Sequence, residues 1–205
     1  MEYFLPLIFG FFVGSVPTTY LLIKWRKKLD IRNEGTGNVG MMNVYEVTNS
    51  RALGFVVLGI DLLKAAAAVV LAGLIFGDEF WLMAVAGIGA TLGHNYSPWI
   101  GFKGGRGLAT TLGVSLVLGW VISAVWIIGF VVAYALRRNI HIGNIATSIA
   151  MPAILAAIPD DIMRALVSGV EPRDIVWLSI WMALLILFGH FKIISQFFSS
   201  SAEDR

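Results

Sequence analysis

Two short polar islands interrupt a chain that is otherwise apolar. Residues 30–44 read DIRNEGTGNVGMMNV, and residues 93–110 read GHNYSPWIGFKGGRGLAT. In the first island Gly35, Thr36, Gly37, Asn38 and Gly40 crowd small residues into one loop. Glycine there lets successive backbone N–H groups face one concavity, a geometry that binds anions. Thr36 and Asn38 add side-chain donors. In the second island Lys103, Gly104, Gly105 and Arg106 set two cations around a glycine pair. The glycines permit close approach of a phosphate, and the arginine offers a bidentate fork. His94 and Asn95 are polar groups at the end of an apolar run, where polar side chains are functional candidates. These residue types suit the handling of a phosphorylated substrate at a membrane edge. The bland alternatives are a flexible turn and a basic surface anchor. Two islands of this kind in one chain favour the site.

Other polar residues fit less specific roles. Asp61 and Lys64 lie within an apolar run at i, i+3 spacing, and mutual neutralisation on one helix face is the expected reading. His141, Asn144 and Ser148 open a later apolar run, and His190 and Lys192 close the last one. With three histidines and few inward carboxylates, no metal site is expected. No Ser-His-Asp spacing is present. The chain has no cysteine, which excludes disulfides and thiolate catalysis.

The elements that must hold these residues are membrane helices. Of 205 residues, 58% are hydrophobic and 14% charged, more apolar than a soluble domain of this size. The apolar segments are 3–23, 52–76, 81–100, 108–136, 142–158 and 175–194. Runs of this length read as spans. The first carries Glu2 before it and KWRKK after it, so it reads as a retained helix rather than a signal peptide. Segment 108–136 as one helix would reach about 43 Å against a hydrocarbon core of ~30 Å. Gly119 is the expected break, giving spans 108–118 and 120–136. Basic residues cluster at Lys24, Arg26, Lys27, Lys28, Arg32 and Arg51, at Lys103 and Arg106, and at Arg137 and Arg138. The opposite loops are mainly acidic. The positive-inside rule then predicts an all-α integral membrane protein, a seven-transmembrane-helix bundle with its N-terminus outside and its C-terminus cytoplasmic. Residues 1–198 read as a single domain, and 199–205 as a disordered tail. Gly10 with Gly14, and Gly89 with Gly93, mark expected points of close helix approach.

The two islands, in this order, resemble the bacterial acyl-phosphate:glycerol-3-phosphate acyltransferase family, called PlsY. The likeness also takes in GSVPTTYLL of the first span and DLLKA of the second. The resemblance implies seven membrane helices, a cytoplasmic-side site in the inner (plasma) membrane, no metal and no cofactor. It implies transfer of a fatty acyl group from acyl phosphate to glycerol 3-phosphate, or a related polyol phosphate. Membrane lipids are the other expected partners; a monomer with no nucleic-acid partner is expected. Catalytic roles fall on Thr36, Arg106 and His190. Substrate-binding roles fall on Gly35, Gly37, Asn38, Gly40, Glu46, His94, Asn95, Lys103, Gly104, Gly105 and Asn144. Several positions depart from the family pattern. Thr36 stands for Ser, Arg106 for Lys, and Asn144 and His141 for Ser. Glu46 stands where the family carries a substrate-binding Arg, with Arg51 or Lys192 as substitute cations, or Lys192 as a compensating partner for Glu46. His190 survives in a closing motif whose Glu and Asn have become Lys192 and Ile193. The alternatives are a paralog acting on another phosphorylated acceptor, a non-catalytic lipid or anion binder or transporter, and a subunit of another membrane enzyme.

Overall fold

The computed structural model describes residues 2–196; the expected tail at 199–205 lies outside the described residues. Every regular element among them is helical. The chain forms two compact units, one up to Leu118 and one from Gly119.

The first unit contains α1 (Phe4–Ser15), α2 (Thr18–Lys27), α3 (Met41–Thr48), α4 (Arg51–Phe76), α5 (Phe80–Asn95) and α6 (Leu108–Leu118). The segment expected as one first span is broken between α1 and α2. Pro17 has no N–H to donate, and it drives Val16 out of the helical region to ψ 117°. The break frees carbonyls that side chains then satisfy. Ser97 Oγ donates to the Ser15 carbonyl (2.6 Å), and Trp99 Nε1 donates to Ser15 Oγ (2.9 Å).

α1 lies along α5 at backbone contact, as the glycine spacing predicts. A Cβ at Gly10 or Gly14 would run into the carbonyls of Ala86 and Ala90. A Cβ at Gly89 or Gly93 would meet those of Leu7 and Phe11. Between lipid-bathed helices, close packing of this kind replaces the hydrophobic drive available in water. Gly113 of α6 rests against the Leu62 carbonyl of α4 in the same manner. Gly93→Ala is expected to lower stability by about 1–3 kcal/mol through overpacking. A thermal melt in detergent checks this, and an unchanged midpoint would show that α1 and α5 can separate freely.

The second unit contains α7 (Trp120–Arg137), α8 (Ile140–Ala156), α9 (Asp160–Leu166) and α10 (Pro172–Gly189). The expected break at Gly119 is present. Arg138 closes α7 in the left-handed region (φ 50°), and Asn139 opens α8 by accepting from the amides of His141 (2.9 Å) and Ile142 (3.1 Å). Trp126, Phe130 and Tyr134 stack along α7, and Gly143 of α8 fits against the Phe130 ring. α8 and α9 bend by 110° at their junction, so segment 142–158 ends in a corner.

Four described helices or helix pairs are long and apolar enough to cross a membrane, or five counting α8 with α9. α5, with 16 residues, is about 24 Å long. α6, with 11 residues, reaches about 17 Å. Both are shorter than a ~30 Å core.

Candidate active site

The first island is organised by a residue that sequence reasoning passed over. Asn43, buried at the start of α3, accepts the Thr36 amide on Oδ1 (2.8 Å). Its Nδ2 faces the carbonyls of Ile31 (3.3 Å), Glu34 (3.1 Å) and Asn38 (2.9 Å). One amide side chain thus folds the loop around itself. Gly35 must be glycine there: its φ is +56°, and a Cβ would collide with Asn43 Oδ1. The Gly37 amide donates to the Glu34 carbonyl (2.9 Å), and the Asn38 amide to Thr36 Oγ1 (3.4 Å). The loop's amides are therefore largely committed to holding its own shape. The Thr36 and Gly37 amides are thus taken up inside the loop rather than left in an open row. Thr36 is exposed, while Asn38 and Gly40 are half-buried. Asn43→Ala would strand several carbonyls at a cost of about 1–3 kcal/mol for each buried group left unpaired. Limited proteolysis should find the 30–44 segment newly cleavable, whereas a resistant loop would show that Asn43 is dispensable.

Arg32 ties the first island to the second. It forms a bidentate pair with Asp30 (2.9 and 2.6 Å), and its Nη1 donates to the Ile100 carbonyl (3.3 Å). The guanidinium also lies 4.8 Å from the Tyr20 ring centre. These hydrogen bonds hold the Asp30 carboxyl down at about 2.

In the second island the glycine amides are taken up by the protein itself. The amides of Gly104 and Gly105 donate to the carbonyls of Asn95 and His94, both at 3.1 Å. They close the loop onto the end of α5. A Cβ at Gly104 would strike the His94 carbonyl, and one at Gly105 would strike His94 Nε2. Close backbone approach is thus why both are glycine. Lys103 is exposed at the loop surface, and Asn95 is buried. Arg106 is half-buried; burial pushes its guanidinium pKa down, and the Glu46 carboxylate opposes that shift. Glu46, exposed on α3, is therefore the anion that Arg106 senses.

Asp61 and Lys64 do pair, at 2.7 Å, deep in the unit. They do not pair alone. Thr18 and Thr19 each donate to an Asp61 oxygen at 3.3 Å. Lys64 Nζ also reaches the Val16 carbonyl (3.3 Å) and His94 Nδ1 (3.0 Å). Asp61, Lys64, His94, Val39, Gly104 and Gly105 line one pocket with the α1–α2 junction. The VP pair in the first segment was the available signal for this junction.

Asn144, His141 and His190 belong to the second unit. His190 ends α10, fully buried, with its Nδ1 2.8 Å from the Ile186 carbonyl. Its ring lies edge-on to that of His141, with centres 6.1 Å apart. Asn144 is buried one turn along α8 from His141. Lys192 is exposed in this unit. Among the described residues no cluster could hold a metal ion.

This is an all-helical, multi-pass integral membrane protein with a polar pocket built at helix ends. A family model for glycerol-3-phosphate acyltransferase matches residues 4–200. A glycerol-3-phosphate acyltransferase of Synechococcus sp. (strain JA-2-3B'a(2-13)) is 34% identical over 157 residues, 75% of each chain. One from Myxococcus xanthus (strain DK1622) is 36% identical over 152 residues, 73% of this chain and 79% of that one. Among solved structures, PlsY, an integral membrane glycerol 3-phosphate acyltransferase, matches in its glycerol 3-phosphate form with TM-score 0.77 and 26% identity, covering 98% of this chain and 94% of that one. Its lysophosphatidic acid form matches with TM-score 0.77 and 25% identity, covering 98% and 93%. The chain belongs to the glycerol-3-phosphate acyltransferase family.

Proposed function

We propose that the chain transfers a fatty acyl group from acyl phosphate to the 1-hydroxyl of glycerol 3-phosphate, giving lysophosphatidate and inorganic phosphate for phospholipid synthesis. The observation that carries this reading is the meeting of the two islands in one compact unit. Val39 of the first and Gly104 and Gly105 of the second line one pocket. Arg32 spans the islands through the Ile100 carbonyl. The PlsY structures matched above are a glycerol 3-phosphate form and a lysophosphatidic acid form, the acceptor and product of this reaction.

The chemistry asks little of the protein beyond placement. An acyl phosphate is already activated. The acceptor hydroxyl attacks the acyl carbonyl carbon, the bond from that carbon to the phosphate oxygen breaks, and phosphate leaves. The hydroxyl attacks directly, so no protein nucleophile is required, and a phosphate oxygen of the bound substrates takes its proton. Holding the two reactants in register supplies several kcal/mol of the barrier. Arg106 and Lys103, outside the pocket's lining, offset the negative charge, and the Thr36 and Asn38 side chains add donors.

For topology, the reading places seven spans: α1 with α2, α4, α5, α6, α7, α8 and α10. The N-terminus is outside and the C-terminus in the cytoplasm, with the islands at the inner leaflet of the plasma membrane. The basic loops support this orientation. α6 would cross only where the bilayer thins or neighbours shield it. The family match across both units supports one acyltransferase domain. The reading takes the chain as a monomer.

Purified protein should release phosphate from palmitoyl phosphate only when glycerol 3-phosphate is present. Folded protein that releases none above background, with any of a panel of polyol phosphates, would end the acyltransferase reading. A second reading, a different phosphorylated acceptor, draws on Glu46, whose negative charge faces Arg106. In the same assay it would show as a preference for an acceptor other than glycerol 3-phosphate.

A further inference from the structure

The Lys64 ammonium has three N–H donors and no lone pair to accept with. Three acceptors surround it: Asp61 Oδ1 at 2.7 Å, His94 Nδ1 at 3.0 Å and the Val16 carbonyl at 3.3 Å. Each donor has one partner, so Lys64 is saturated by the protein and is not a cation on offer to substrate. The consequence falls on His94. A proton on Nδ1 would point N–H against the ammonium at 3.0 Å, and its only compensation would be Asp61 Oδ1 at 3.5 Å. That oxygen already takes Lys64 at 2.7 Å and Thr18 at 3.3 Å. The nearer contact decides the assignment. It points to Nδ1 as the acceptor, which leaves a ring proton on Nε2.

Nε2 lies at the Gly105 edge of the pocket. A Cβ on Gly105 would sit on that nitrogen, so only glycine leaves room beside it. The Asp61–Lys64 pair is in turn held by Thr18 and Thr19, just past the Pro17 break. The position and tautomer of the ring are thus built in from α2 and α4.

We propose that Lys64 is a positioning residue: it fixes His94 in the tautomer that presents Nε2–H to a phosphate oxygen beside Gly105. This rests on the reading of the pocket as a phosphate site. It recasts an ion pair that sequence alone assigns to neutralisation. Asp61 serves to hold the Lys64 ammonium aimed at Nδ1.

The test uses the full chain, labelled with 15N-histidine, in detergent or nanodiscs. His94→Gln identifies the His94 resonances by their loss. In the unaltered protein, Nε2 should show a one-bond N–H coupling and Nδ1 none. Adding inorganic phosphate should shift the Nε2–H signal. Lys64→Met should give a mixture of tautomers, weaken the phosphate-induced shift and lower kcat/KM by about tenfold to 100-fold, the scale of a misplaced catalytic contact. Lys64→Arg should restore part of the tautomer bias and part of the rate. A proton found on Nδ1 in the unaltered protein, or an Nε2–H signal indifferent to phosphate, overturns the proposal without reference to any variant's folding. Neither measurement depends on turnover. Loss of the acyltransferase reading would show only in the phosphate-release assay.

Discussion

Arg106→Ala lowers kcat/KM for glycerol 3-phosphate by about 10²–10³-fold, the scale of losing one preorganised donor to developing negative charge. Arg106→Lys keeps most of the activity. The guanidinium is half-buried, and burial pulls its pKa down while leaving it charged at any physiological pH. Among the described residues it makes no ion pair within 4.0 Å, and Glu46 acts on it only through space. A cation kept partly out of water without a close protein partner gains most when an anion arrives. Truncation strands no buried partner, because Glu46 is exposed. The melting temperature should therefore hold while the rate falls. Initial rates of phosphate release across glycerol 3-phosphate concentrations, with a parallel melt, check both halves. A loss below tenfold with an intact melt would remove Arg106 from the site.

Much of the helix layout is legible from simple physical rules. A helix over 108–136 overshoots the bilayer, and Gly119 is the glycine nearest its middle; α6 and α7 part there. Glycines four apart announce backbone contact, and α1 meets α5 on those four residues. Hydropathy does not register the break in the first segment, because Val16 and Pro17 keep the window apolar. The information lay in proline's missing N–H, a hydrogen-bonding fact that an apolar average discards. The corner between α8 and α9 was hidden similarly, since an apolar count says nothing of direction.

The site was legible by region but less so by role. Glycine-rich loops read as anion cradles because their amides can turn inward. Here Gly104 and Gly105 spend their amides on α5 carbonyls, and Gly37 spends its amide within its own loop. Which partner an amide takes depends on contacts that no local pattern encodes. Asn43 illustrates this: its neighbours in sequence are unremarkable, yet its side chain satisfies groups from Ile31 to Asn38. Asp61 with Lys64 was readable as a pair from i, i+3 spacing. His94 joins them from 30 residues away, and only the packing of α5 on α4 brings it there.

Glu46→Arg raises kcat/KM for glycerol 3-phosphate by about tenfold, mostly through KM. Family resemblance assigns this position to a substrate-binding arginine, so the change restores a cation and removes an anion. At ~4 Å in water each unit charge contact is worth about 1 kcal/mol, and in a lower effective dielectric several times that. Glu46 is exposed, so the aqueous figure applies. Two charge units at somewhat longer range then come to about 1.4 kcal/mol, a factor of ten. The carboxylate also offsets the field of Arg106, and its removal strengthens that cation's pull on phosphate. Glu46→Gln should fall between the two, since it removes one unit and adds none. Raising ionic strength should erode the arginine variant's advantage first, as screening predicts for exposed charges. A chain built for a different acceptor would show the opposite order: Glu46→Arg would depress its own reaction, because a glutamate retained beside Arg106 would be reading a hydroxyl or a cation on that acceptor. Equal rates for Glu, Gln and Arg on every acceptor would place position 46 outside the substrate's field altogether.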